Sequence, residues 1–291
     1  MSPEVALARS NPTVARIRLA TSFREARERA GRSLDDLSRF LGISAPQASR
    51  LDSGARGFRP RDVERLAEWY GFSEVVAQGL VALAEESRRR EWWQQVDLPD
   101  AYRTYIGMEQ EAQAISEYHV NVVPGLLQTP DYARVAASVD EKYLDSPMYA
   151  ERVESAVGIR MRRQEILQRR DPPRLTVVID EAVLARGPQD RSIRRSQLEH
   201  LRANADRPNI TVQVIAFEFG LHTGASSNFI LLDMGGQIPD LFYSEGLGSG
   251  FASSDPAVLE TNRRVWAELR AKALDTLMSK DRIDRYLHDL A

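Results

Sequence analysis

Apolar residues return at helical spacing several times in the first third of the chain. In RIRLATSFREARERAG (16–31), Leu19, Phe23, Ala26 and Ala30 stand four, three and four apart, an amphipathic helix stopped by Gly31. Ser33 caps a second helix, with Asp36 at the capping-box position, Leu37 and Leu41 facing inward and Gly42 at the end. Ile43 is the buried residue of the next turn. Ser44 then caps a third helix whose Ala48 and Leu51 point to the core and which Gly54 stops. Pro60 opens a fourth, with Val63, Leu66, Ala67 and Tyr70 in phase, and a fifth runs from about Ser73 to the SRRR cluster at 87–90.

The pattern changes after residue 90. REWWQQVDLPDAYRTYIGMEQEAQAISEYHVNVVPGLLQTPDYARV (90–135) reads as a helix, a short extended segment and another helix. A long helical pattern runs from about Met148 to Arg170, ended by Pro172-Pro173. RLTVVID, NITVQVIAF, NFILLDM and DLFYSE read as four strands. The first two flank a helical stretch at 191–205, so they form a right-handed βαβ unit with parallel strands. The last two are joined by GGQIP, an antiparallel hairpin. An amphipathic region at 256–289, with Leu259, Val265, Trp266, Leu269 and Leu274, closes the pattern and reads as spare apolar surface.

The third helix, in LGISAPQASRLDSG (41–54), is small, polar and nearly uncharged, which is odd for a helix packed only on its own protein. A second and third helix joined by a glycine turn form a helix-turn-helix, whose third helix enters the DNA major groove. The block F-REARERAG-SLDDLSRFLGIS–ASRLDSG–RPRDVERLAEWYG resembles the Xre-type helix-turn-helix of phage and bacterial repressors over about 60 residues. The Leu-x-x-Leu-Gly-Ile-Ser turn, the Ser-Arg-Leu-acid run and the terminal glycine occur together. The resemblance implies a five-helix head at 14–86, ahead of a body at 87–291.

DNA would meet a small set of residues: Ser33, Ser44, Ala45, Pro46, Gln47, Ser49, Arg50, Arg56, Arg59 and Arg61. Ser44 caps the helix and offers a hydroxyl to a phosphate, because a helix N-terminus favours anions. Gln47 and Arg50 are one turn apart. Arginine reads guanine and glutamine reads adenine through paired hydrogen bonds, each worth roughly 1–3 kcal/mol of discrimination. Two alternatives stay open: Gln47 closes a capping box on Ser44, and Arg50 pairs with an acid of the head. Ser49 is a short-range contact, and Arg56, Arg59 and Arg61 suit the phosphate backbone. Relatives of this type often carry Ser-Pro-Ser-Lys where this chain has Ser44-Ala45-Pro46-Gln47, so those serine and lysine contacts do not carry over.

Charge sharpens this division. The net charge is −3, but residues 1–90 hold 16 arginines against 12 carboxylates, and the excess acid lies beyond them. A basic head on an acidic body is the expected sign for a DNA-contacting end. The chain has no cysteine, which excludes disulfides and cysteine-bearing zinc sites, and its first residues lack a signal-peptide core. A cytoplasmic protein without membrane attachment is expected.

The body also resembles a known type. Glu-Trp-Trp, Tyr-Ile-Gly-Met-Glu-x-Glu-Ala, Val-Pro-Gly-Leu-Leu-Gln-Thr-Pro-Asp-Tyr-Ala-Arg, Arg-Arg-Gln-Glu-Ile-Leu and Pro-Asn-Ile-Thr-Val-Gln-Val are similar to the C-terminal domain of WhiJ-type actinobacterial regulators, through most of residues 90–250. That implies a transcriptional regulator, often paired with a small neighbouring-gene protein, and in some relatives a toxin–antitoxin role. Catalytic patterns are missing: His119, His200, His222 and His288 have no metal-ligand spacing, and Ser226 and Ser249 form no nucleophile elbow. GLGSG (246–250) reads as a turn and Asp180-Glu181 as a helix cap.

The expected whole is therefore an α+β protein: an all-α five-helix head and an α/β body with a small mixed sheet flanked by helices. It is expected to bind double-stranded DNA as a homodimer, with neither cofactor nor metal and no catalytic residues. The body senses a ligand or binds a small partner, or else partner binding replaces operator binding as the main role. VALAEESRRREWWQQV (81–96) has no glycine or proline, so it is expected to join head and body as one stiff helix, with Trp92 and Trp93 against the body.

Overall fold

Four glycines with left-handed backbone, Gly31, Gly42, Gly54 and Gly71, punctuate the first helices. The computed structural model describes residues 11–96, 98–141, 149–236, 238–246 and 249–290. Helix α1 (Pro12–Arg29) starts at Asn11, whose side-chain oxygen accepts from the Thr13 and Val14 N–H groups. Helix α2 (Leu34–Leu41) starts with the expected capping box. Asp36 accepts from Ser33 N–H at 2.8 Å, and the Ser33 hydroxyl oxygen accepts from Asp36 N–H at 3.1 Å. At Gly42, φ is +66°, a conformation that L side chains rarely adopt.

Helix α3 (Ala45–Asp52) follows. Gly54, at φ +74°, is constrained twice: a Cβ there would also lie 3.3 Å from Ala20 Cβ. Helices α4 (Pro60–Trp69) and α5 (Glu74–Glu86) complete the five. Their common core holds Leu19, Phe23, Leu37, Ala48, Leu51, Phe58, Val63, Leu66 and Leu80. Leu41 and Ile43 are only half-buried, packed at its margin, and Ala30 is exposed because α1 has already ended.

The chain then departs from the stiff-link expectation. Helix α5 stops at Glu86, where the Ser87 hydroxyl donates to Ala84 O at 2.7 Å. Arg88 and Arg89 N–H groups reach back only three residues, to Glu85 and Glu86. Such tight turns end a helix without glycine or proline. Trp92 and Trp93 lie in a 3-10 turn, and the compact unit that contains them runs on to Glu111. The expected division after residue 86 falls inside that unit. Helix α6 (Asp100–Glu109) packs on α1, where Asn11 Nδ2 donates to Gly107 O at 2.6 Å. A Cβ on Gly107 would collide with the Thr13 side chain, so α6 and α1 approach through this glycine.

The second unit is built on a six-stranded mixed sheet in the order β3-β2-β1-β4-β5-β6. The expected strands are β2 (Arg174–Asp180), β3 (Ile210–Ile215), β4 (Phe229–Asp233) and β5 (Leu241–Gly246). β2 and β3 are parallel and β4 and β5 antiparallel, as expected. The extended segment at 114–119 is β1 (Ala114–His119), the pivot: parallel to β2 and antiparallel to β4. β6 (Ser249–Ser253) adds a further edge strand, with Gly246 opposite Ser249; residues 247 and 248 of GLGSG lie outside the described residues. Helices α7 (Pro130–Glu141), α8 (Tyr149–Gln164), α9 (Ala182–Ala185) and α10 (Arg191–Asn204) are inserted between the parallel strands. The expected start of α8 at Met148 is likewise outside the described residues.

The closing region is two helices, α11 (Pro256–Lys272) and α12 (Thr276–His288). Its apolar stripe is not spare. Leu259 and Leu269 are buried against Tyr118, Val178, Phe229, Leu231 and Phe242 of the sheet, with Val265 and Trp266 beside them. Between the helices the backbone covers the β3 edge: Leu274 N–H donates to Val214 O, and Val214 N–H donates to the Ser279 hydroxyl. This satisfies an edge that would otherwise invite another strand. Among the described residues no helix is long and apolar enough to cross a membrane.

Candidate nucleic-acid interface

Helix α3 buries one face and leaves the other open. Ala48 and Leu51 are buried, while Ser44, Ala45, Pro46, Ser49 and Arg50 are exposed and Gln47 is half-buried. Proline at the second helical position costs no hydrogen bond, because the first N–H groups have no intrahelical acceptor. The Gln47 side-chain oxygen accepts from Ser44 N–H at 3.1 Å, the capping arrangement. Its amide nitrogen is left to donate outward. The Ser33 hydroxyl is bound to Asp36, and these bonds, backbone first, hold the Asp36 carboxyl below its ordinary range.

The acid of the Ser-Arg-Leu-acid run has a separate task. Asp52 faces α1, where Arg27 donates to it through Nε at 2.8 Å and Nη2 at 3.1 Å. Both side chains are only 12% exposed, so this two-bond pair clamps α3 to α1. Its hydrogen bonds raise the Arg27 pKa. Arg50, two residues back, is not drawn into the pair.

That contrast extends over the whole unit. Arg39 is bound to Asp36, Arg89 to Glu86 and Arg65 to Phe40 O, and Arg32 lies 3.9 Å over the Trp69 ring. Arg50, at the end of α3, Arg56 in the following loop, and Arg59 and Arg61 at the start of α4 are all exposed. None of their guanidinium groups meets a carboxylate or a hydrogen-bond acceptor among the described residues. The structure thus gathers unpaired cations along one run, from α3 to the start of α4, in the stretch where the sequence placed them. Such groups are free to meet phosphates and base edges.

Sequence reasoning missed two features of this unit. The Arg27–Asp52 clamp joins residues 25 apart that no local spacing links. An open pocket of about 690 Å³ is lined by Arg16, Arg59, Arg61 and Arg88, from three separated segments. Nothing local to the run at 87–90 links it to Arg16 or to the start of α4.

In the body, the polar groups that could suggest chemistry are engaged with one another. His222 Nε2 lies 3.0 Å from Asp180, and His119 Nε2 lies 3.0 Å from Glu117. Asp180 also accepts from Ala182 N–H at the start of α9, while Glu181 receives Phe217 N–H, Tyr286 and Arg282.

Two family models match separate stretches of the chain. Residues 18–78 match the model of a helix-turn-helix domain, which supports a DNA-binding regulator. No curated protein and no solved structure matches the chain. Residues 102–285, well over half of the chain, match a second model, and the chain belongs to that family, described as Domain of unknown function (DUF5753).

Proposed function

We propose that the protein is a sequence-specific transcriptional regulator that reads DNA through α3, as an Xre-type repressor head does. The observation that carries this reading is the run of exposed, unpaired guanidinium groups at Arg50, Arg56, Arg59 and Arg61 beside a small, polar helix face. Arg50 and the Gln47 amide read bases, with Ser49 beside them; Ser44 and the three later arginines hold phosphates. Arg50 and Gln47 supply sequence preference, and Ser44 and the three later arginines supply affinity.

The body, of WhiJ-like type, is proposed to act without catalysis, by sensing a ligand or binding a small partner in the cytoplasm. Phe217, Phe219 and Leu221, on one short segment, are 55%, 44% and 91% exposed. An apolar cluster left in water favours protein contact. It suits a small partner or a second copy, and one short recognition helix needs a second copy to cover two half-sites about one helical turn apart. Selection of genomic fragments by the full chain tests the reading. Enrichment of fragments that share a short motif is expected, and recovery in proportion to abundance would remove it.

A further inference from the structure

The arginine-lined pocket is not explained by base reading. It lies where the chain after α3 turns into α4, against the first turns of α1 and the end of α5. Arg16, Arg59, Arg61 and Arg88 line it, and no carboxylate does. Phe58 and Pro60 give it an apolar wall. Gly57 lies beside them, its Cβ position within ordinary van der Waals distance of the Ser87 hydroxyl and the Arg16 stem.

Arg16 is the informative member. Its Nε is shut from solvent and has no hydrogen-bond partner. Burial lowers its pKa, with Asp100 opposing and Arg103 adding to the effect. A desolvated guanidinium with an unused donor is costly unless an acceptor arrives. Arg59 is also the N-cap residue of α4 and contributes no side-chain cap, so Asp62 in the first turn is the acid that the helix itself supplies at that end.

We propose that this pocket binds a phosphate group. A planar guanidinium matches phosphate oxygens with paired donors, and four of them around one cavity offset their mutual repulsion only when an anion enters. The cavity volume falls within the roughly 300–1,000 Å³ of small-molecule sites. The phosphate therefore belongs either to the DNA backbone or to a free phosphorylated compound. In the second case the head carries an effector site that shares Arg59 and Arg61 with the DNA-facing run, and a bound anion lowers DNA affinity.

The experiment titrates inorganic pyrophosphate into the full chain at low salt by calorimetry, for the wild type, Arg16→Gln, Arg88→Gln and Arg195→Gln. Arg88 is exposed, so its variant keeps the test valid if the half-buried Arg16→Gln misfolds; Arg195 lies in the body and is the control. Saturable binding is expected, weakened at least tenfold by either pocket variant and unchanged by the control. Binding of a random-sequence duplex by the same proteins separates the two sources. A backbone phosphate predicts that Arg88→Gln flattens the slope of log K against log salt by about one. A free ligand predicts unchanged duplex binding by Arg88→Gln and competition between pyrophosphate and duplex in the wild type. The pyrophosphate arm decides even for a chain that binds no DNA. Neither pyrophosphate nor duplex binding depending on Arg16 or Arg88 would overturn the proposal.

Discussion

The two halves of the molecule treat polar groups in opposite ways. The body takes them inside and ties them down. Gln197, 1% exposed, accepts from Thr129 N–H and donates to Leu127 O, both at 2.7 Å. Gln128 and Gln164 secure the same loop, so the Val-Pro-Gly-Leu-Leu-Gln-Thr motif is a segment held by glutamines. The head instead leaves Arg50, Arg56, Arg59 and Arg61 in water with nothing bound. A buried amide must be satisfied by the fold and so reports on stability, whereas an exposed cation without a partner costs little and remains available. Polar residues of the body are thus architecture, while those of the head's exposed run serve recognition under the proposed function.

The largest effect should come from breaking the first side of that contrast. Gln197→Leu keeps the volume but strands a half-buried N–H of Thr129 and a buried C=O of Leu127, together worth about 3 kcal/mol. Urea unfolding of the full chain should show the body destabilised by about 3 kcal/mol, with DNA affinity unchanged below its transition. An unaltered midpoint would show that Gln197 is not a strut.

Asp52→Ala tests the case in between, an ion pair inside the recognition region that has no part in recognition. Leaving Arg27 mostly buried without its partner should destabilise the head by about 2 kcal/mol. Sequence preference should be untouched where the head stays folded. A changed preference at one base pair would place Asp52 at the interface.

The smallest effect is a pH dependence within the body. Burial, and secondarily the charge of Arg207, lowers the His200 pKa. The unfolded chain therefore takes up that proton at a higher pH than the folded one. Stability from this group is complete above the ordinary histidine pKa of 6.5 and is lost as pH falls below it. Urea midpoints at pH 7.5 and 5.5 should fall further in the wild type than in His200→Asn. Equal falls would remove His200 as a source.

Much of this organisation is legible in the sequence, for local reasons. Ser33, Asp36, Gly42, Gly54 and Pro60 signal caps and turns whose chemistry lies within a few residues. The four Val/Ile/Leu-rich strands are equally plain. β1 is harder because AISEYH buries Glu117 and His119 among its apolar positions, which hides the alternation of a strand. The break between α11 and α12 has a tertiary cause, since residues 274–279 cover the β3 edge. The end of α5 follows from tight turns that arginine and serine accept as readily as a helix. Arg50, Arg56, Arg59 and Arg61 are candidates from spacing and type alone, and the fold leaves them exposed, while Arg16 and Arg88 need the fold to bring them to one cavity.

The central claim is that the unpaired arginines divide into a base reader and phosphate holders. Its most direct test compares Arg50→Ala and Arg59→Ala on an enriched genomic fragment and on a random duplex across a salt series. Arg50→Ala should weaken the specific complex by roughly 1–3 kcal/mol and relax preference at one base pair. Arg59→Ala should weaken both complexes alike and reduce the salt slope by about one. Equal, sequence-independent losses from the two substitutions would make Arg50 another phosphate contact and contradict the account.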